Sequence, residues 1–422
     1  MNFKKTTLKN GLRIIIVPAK SNPAVTVLVM VETGSNYETK EQNGLSHFLE
    51  HMCFKGTTKR PKSIDISREL DALGAQSNAF TSNEFTGYYA KGEKNHVSKL
   101  IDVVSDMYLN PTLPAVELEK ERGVIIQEIS MYEDLPQRRV QEFFAELLYG
   151  DTPAGRSIAG PVANIKKFQR KDFVDYRTKH YVAEKTIVIV AGDIAEKKVI
   201  QQITSAFKNI STAKKLLPPP VKEKQTTPAI LVHKKKTDQT HIVLGVRAFD
   251  VFDKRMSALQ VLAGVLSGGM SGRLFQKLRE EMGACYYARA NAEISNDHGS
   301  FIISTGVEEK RVEEVIKVLL EECKRLCNEL VSKEELQKTK DYMSGHLYLG
   351  LETSDALAEF YVVQEALKGE MKTPAQAEKE IRAVTAKDVQ NVARDIFKNK
   401  NLNLAIVGNI ADSKKLKKIL SF

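Results

Sequence analysis

"STAKKLLPPPVKEKQTTP", residues Ser211–Pro228, is the stretch on which the reading of the fold turns. Pro218, Pro219 and Pro220 stand in a row, and proline lacks the N–H and the freedom at φ that helix interiors and central strands require. Such a run makes a stiff, extended connector. It separates residues 1–210 from residues 229–422, two pieces of about equal length, with 211–228 as the linker. Halves of equal size prompt a search for a repeat.

Working outward from the linker, the two halves carry the same pattern. "PAVTVLVMVETGS" (Pro23–Ser35) matches "QTHIVLGVRAFDV" (Gln239–Val251), each a buried strand. Leu70–Tyr108 matches Arg279–Leu326: a helix ending at a glycine, two alternating strands, then an amphipathic helix. "RKDFVDYRTKHYVAEKTIVIVAGDI" (Arg170–Ile194) matches "AKDVQNVARDIFKNKNLNLAIVGNI" (Ala386–Ile410), a helix, a turn, a buried strand and a glycine. The pattern predicts an α+β protein of two homologous domains, each a largely antiparallel sheet with helices packed on one face.

Composition sets the outer bounds. With 42% hydrophobic and 27% charged residues, the chain reads as an ordinary globular protein, and no apolar run reaches the ~18 residues of a membrane span. The opening "MNFKKTTLKNGLRIIIVPAK" places lysines before "IIIV", but that run is too short for an export signal, and Asn10-Gly11 reads as a hairpin turn. Cys53, Cys285, Cys323 and Cys327 form no C-x-x-C pair, which fits a reducing, cytoplasmic setting. The net charge of +10 permits acidic partners. Its lysine runs, His233–Lys236 and Ser413–Lys418, are short and without interleaved aromatics, so they read as solvated faces; neither a nucleic-acid nor a membrane partner is expected.

One stretch stands outside the repeat. "GLSHFLEHMCFKGT", residues 44–57, places His47 and His51 at i and i+4, on one face of a helix, where two imidazoles reach one metal ion. A lone histidine on an apolar helix is ordinarily a core residue; the pair, with Glu50 before the second member, has the H-x-x-E-H form of zinc peptidases. The equivalent place in the second half, Gly264–Phe275, is "GVLSGGMSGRLF" and carries no such motif. A catalytic zinc ordinarily takes three protein ligands. The best source of a third is Val116–Pro136, where Glu121 and Glu128 share a helical face two turns apart.

"HFLEH" followed at this distance by Glu128 resembles the pitrilysin-type zinc peptidases, and the two-domain chain is similar to their mitochondrial-processing-peptidase branch and its bacterial homologues. The likeness also covers "TLKNGLRIIIVP", "ETGSNYE" (Glu32–Glu38), "NAFTSNEFTGYYA" (Asn78–Ala90), "ERGVIIQEI" (Glu121–Ile129) and "GGMSGRLFQKLREEMGACYY" (Gly268–Tyr287). The resemblance implies the processing-peptidase, LuxS-like metallohydrolase fold and one Zn²⁺ per chain held by His47, His51 and Glu128. It implies Glu50 as general base and Glu121 as a carboxylate orienting a ligand. It implies further that Asn78 and Ala79 lie on a strand that binds extended peptide, and that Arg273 and Tyr286 hold the substrate backbone, with Tyr287 the alternative to Tyr286. The activity expected is endopeptidase cleavage of extended or unfolded peptides in a closed chamber, which takes four such domains and hence a homodimer. The rival is a non-catalytic scaffold subunit of the same fold.

Overall fold

The structure is a computed structural model that describes residues 2–20, 22–410 and 413–422. Its strands form two sheets. β1 (Lys4–Thr7), β2 (Arg13–Pro18), β3 (Ala24–Val31), β4 (Gln76–Thr81), β5 (Thr86–Glu93) and β6 (Thr186–Gly192) make a six-stranded sheet in the order β1-β2-β6-β3-β5-β4. β7 (Ala229–Lys234), β8 (Thr240–Arg247), β9 (Cys285–Ile294), β10 (Gly299–Val307) and β11 (Leu402–Gly408) make a five-stranded sheet in the order β7-β11-β8-β10-β9. The parallel pairs are β2 with β6 and β7 with β11; every other pair is antiparallel. Apart from β1, strand follows strand in the same spatial order in both sheets, so the repeat read from sequence is a repeat of structure. Gly74 (φ 59°) and Gly283 (φ 56°) stand at matching places, just before β4 and β9.

Each sheet buries both faces, which is why β3, β6, β8 and β11 read as apolar runs rather than alternations. In the first, Val25, Val27, Val29 and Val31 of β3 and Val188 and Val190 of β6 face a core shared with Leu100, Val103 and Met107 of the helix Val97–Leu109. In the second, Ile242, Leu244, Leu404 and Ile406 face Val315, Ile316 and Leu319 of the helix Val312–Asn328. These are the helix layers expected on one face.

A single further helix covers each opposite face. Val140, Phe144 and Leu148, a stripe at i, i+4 and i+8 of the helix Pro136–Tyr149, pack on Val243, Ile302, Ala405 and Val407 of the second sheet. The helix Ser354–Lys368 packs on β2, β3 and β6 of the first, where Ser354 Oγ and Thr26 Oγ1 are 2.8 Å apart. Its buried Glu365 pairs with Lys5 at 2.6 Å and Arg13 at 3.3 Å.

Compactness therefore divides the chain differently from the cut at the linker. One unit takes Met1–Ser130, Arg156–Pro219 and Leu349–Thr373; the other takes Met131–Gly155, Pro220–Tyr348 and Pro374–Phe422. The physical reason is the apolar second face of each sheet, covered by a helix from the other half of the sequence. The linker carries no helix or strand, as its prolines require.

Candidate metal centre

Three elements of the first unit build the site. The helix Leu45–Met52 sinks Leu45, Phe48, Leu49 and Met52 into the core. That leaves His47 and His51 on its other face, with ring centroids 4.7 Å apart. The long helix Ala115–Glu133 carries a stripe of Leu118, Glu121, Ile125 and Glu128, in which Leu118, Glu121 and Ile125 are buried. Val124, one residue off the stripe, is 51% exposed. β4, the edge strand of the sheet, supplies Thr81.

His47, His51 and Glu128 converge. Glu128 Oε2 lies 3.6 Å from Nε2 of His47 and 3.6 Å from Nε2 of His51, and one ligand atom from each residue falls within 4.8 Å of the others. Atoms about 2.0–2.2 Å from a tetrahedral ion stand roughly 3.5 Å apart, so the donor set and its spacing fit zinc after a small contraction. No other such cluster occurs among the described residues.

Around this set the polar groups are tied down. His51 Nδ1 is 2.8 Å from Glu121 Oε1, and the other Glu121 oxygen pairs with Lys55 Nζ at 2.5 Å. That is the carboxylate–histidine arrangement that fixes a ligand's tautomer and ring plane. Burial works to lower the His51 pKa, but the hydrogen bond to Glu121 and the charges of Glu50, Glu121 and Glu128 leave it raised. Burial likewise works to raise Glu121, and the hydrogen bonds from His51 and Lys55 leave it lowered. Glu50 is 9% exposed and accepts from Thr81 Oγ1 at 2.5 Å. Burial raises its pKa against the lowering pull of Thr81 and His51.

Of the residues expected to meet substrate, Asn78 and Ala79 lie on β4, which pairs with β5 and leaves its other edge open. Ala79 N–H donates to Asn78 Oδ1 at 2.9 Å. Arg273 lies in the second unit, in a bidentate pair with Glu335 at 2.7 Å and 2.7 Å and 3.6 Å from Glu322. Tyr286 is 76% exposed with the Arg279 guanidinium over its ring, whereas the Tyr287 hydroxyl is 2.9 Å from His241 Nδ1. Between the two tyrosines, Tyr286 is the one facing solvent.

Sequence reasoning missed Lys55, Thr81 and Glu38. Lys55 was within reach, being i+4 from His51. Thr81 was not, because nothing local ties the end of a strand to Glu50. Glu38 is buried at the start of the His47 helix, where its carboxylate takes the backbone N–H groups of Gly44 and Ser46. Burial pushes its pKa up to about 7 against the lowering effect of those donors.

This geometry belongs to a zinc metallopeptidase architecture, and comparison with known proteins agrees. Residues 13–162 match the family described as insulinase (peptidase family M16), and residues 167–343 match the peptidase M16 inactive domain. An uncharacterized zinc protease of Bacillus subtilis is 33% identical over 397 residues, covering 94% of this chain and 96% of that one. Another, of Streptomyces coelicolor, is 32% identical over 415 residues, covering 97% and 90%. A crystal structure of a protease from Helicobacter pylori shares the fold with a TM-score of 0.89 at 22% identity, covering 96% of this chain and 99% of that one. The chain belongs to peptidase family M16, the pitrilysin-type zinc peptidases. Zinc is its cofactor, and His47, His51 and Glu128 are the set that fits it.

Proposed function

We propose that the protein is a zinc-dependent endopeptidase acting on extended or unfolded peptides. The observation that carries this reading is the coincidence of three features: the converging His47, His51 and Glu128, the carboxylate of Glu50 beside them, and Thr81, which ties Glu50 to an open strand edge. Bound by the three ligands, zinc supplies Lewis acidity toward a peptide carbonyl and lowers the pKa of a water. Glu50 takes the proton of the attacking water and returns it to the leaving amine. Glu121 holds the ring of His51 while Lys55 keeps Glu121 anionic. The β4 edge receives the peptide through main-chain hydrogen bonds, which accept many sequences but require an extended chain. Asn78 and Ala79 sit on that edge, and Ala79 N–H exchanges its bond to Asn78 for one to substrate.

Arg273 and Tyr286 complete the proposal as a backbone clamp, together with a closed chamber, a homodimer and a cytoplasmic location. The bidentate hold of Glu335 on Arg273 means that the guanidinium offers substrate only its remaining N–H groups. The scaffold alternative draws on one finding, that the second family match carries the description "inactive domain". The test is digestion of a mixed peptide library by the wild type and by Glu50→Gln, read by mass spectrometry. Glu50→Gln should keep its zinc and lose about 10²–10⁴-fold in turnover. Stoichiometric zinc without peptide cleavage by the wild type would favour the scaffold.

A further inference from the structure

We infer that Glu38 is a positioning residue for the metal site: its carboxylate serves as the N-cap that the helix Leu45–Met52 lacks, and so fixes the turn on which His47 stands. The inference rests on the zinc reading above. The cap position is Gly44, which has no side chain to offer and sits at φ 102°. A Cβ there would come within 2.7 Å of Ala159 O, so Ser, Thr, Asp or Asn cannot be accommodated. The orphan donors are met from six residues upstream instead. Glu38 Oε2 accepts from Gly44 N–H at 2.9 Å and Oε1 from Ser46 N–H at 2.6 Å. Leu45 N–H reaches Gln42 O at 2.9 Å, so each backbone donor from Gly44 to Ser46 is held.

Glu38 is itself fixed. It is 2% exposed, and Asn43 Nδ2 lies 3.2 Å from Oε2 while also donating to Ser157 O at 2.9 Å. Ser46 is held a second time, through its Oγ, 2.8 Å from Tyr176 OH. His47 follows Ser46 directly, so a turn that frays or rotates carries His47 away from Glu128. No sequence motif marks this arrangement, because the cap comes from the loop after Ser35–Tyr37 rather than from the residue before the helix.

Glu38→Gln preserves shape but removes the charge and turns an amide NH₂ toward one of two N–H donors. Zn²⁺ affinity, measured by competition with a chromogenic chelator, should fall about tenfold or more. The visible spectrum of the Co²⁺-substituted protein should change, and kcat should fall with KM within about twofold. Val199→Ala, a core truncation in the same unit, serves as the control for destabilisation alone. It should lower the melting temperature without moving Zn²⁺ affinity or the Co²⁺ spectrum. If Glu38→Gln does not fold, Glu38→Asp decides, since it keeps the charge but cannot span both donors. A weaker Zn²⁺ affinity in that folded variant supports the inference. Unchanged affinity and spectrum in the folded variant overturn it and leave the zinc reading standing, whereas a wild type that takes up no zinc overturns both.

Discussion

The ring of His51 is held at Nδ1 by Glu121 at 2.8 Å, which turns Nε2 toward Glu128 at 3.6 Å. A ring oriented in advance gives up less freedom when a metal arrives. Glu121→Gln should therefore weaken zinc by about 10–100-fold while leaving the three ligands in place, as chelator competition would show. A second residue, His180, bears on stability rather than on the metal. It is 6% exposed, its Nδ1 has no hydrogen-bond partner among the described residues, and it packs on Tyr176. Burial, with the charges of Lys185 and Lys179, lowers its pKa to about 3. The unfolded chain takes up that proton near pH ~6.5, so stability is lost as pH falls from there toward 3, by at most about 1.4 kcal/mol per pH unit. The melting temperature of metal-free His180→Phe should fall less between pH 6.5 and 4.5 than that of the metal-free wild type, the interval being chosen from the ~6.5 reference; parallel slopes would refute the assignment. At this scale the candidate pair His47 and His51 was legible because two imidazoles on one metal demand fixed spacing along a helix, and Glu128 through the resemblance to a known motif. Glu38 and Thr81 were not, since each reaches its partner through the fold.

At the scale of elements, the open edge of β4 is the feature that the proposed function assigns to substrate. Proline at position 79 removes the N–H now held by Asn78 Oδ1 while leaving the helices of the metal site alone. Ala79→Pro should raise KM for extended peptides several-fold with zinc content unchanged; a KM equal to wild type would remove Ala79 from the binding edge. That the two halves repeat one α+β pattern followed from the sequence because buried strands read as apolar runs in both, whereas the spatial order of the strands came only from the fold. So did what each helix covers. The stripe Val140, Phe144 and Leu148 shows that one face of its helix is buried, but an amphipathic stripe carries no address for the sheet it will meet. Ser354–Lys368 is the same case in reverse, and only its contact partners reveal that it belongs with β2, β3 and β6.

For the whole molecule, the sheet is duplicated but the candidate ligand set is not: His47, His51 and Glu128 all lie in the first unit. The lending of one helix by each half governs how the chain must be assembled. While residues 1–219 are being made, the second face of the first sheet has no cover, because its helix is encoded at Ser354–Lys368. At ~5–20 residues per second, the ribosome leaves Ile15, Ile187 and Ile189 waiting roughly ten to several tens of seconds for that helix. Fragments 1–219 and 220–422 expressed apart should each aggregate, whereas expressed together they should recover zinc binding. A soluble, zinc-binding fragment 1–219 would contradict this. The proline linker, which marks the halves so clearly in the sequence, is thus a poor place to stop synthesis and a tolerable place for a late cut: nicked there after folding, the two pieces remain laced together by the helices they have already exchanged.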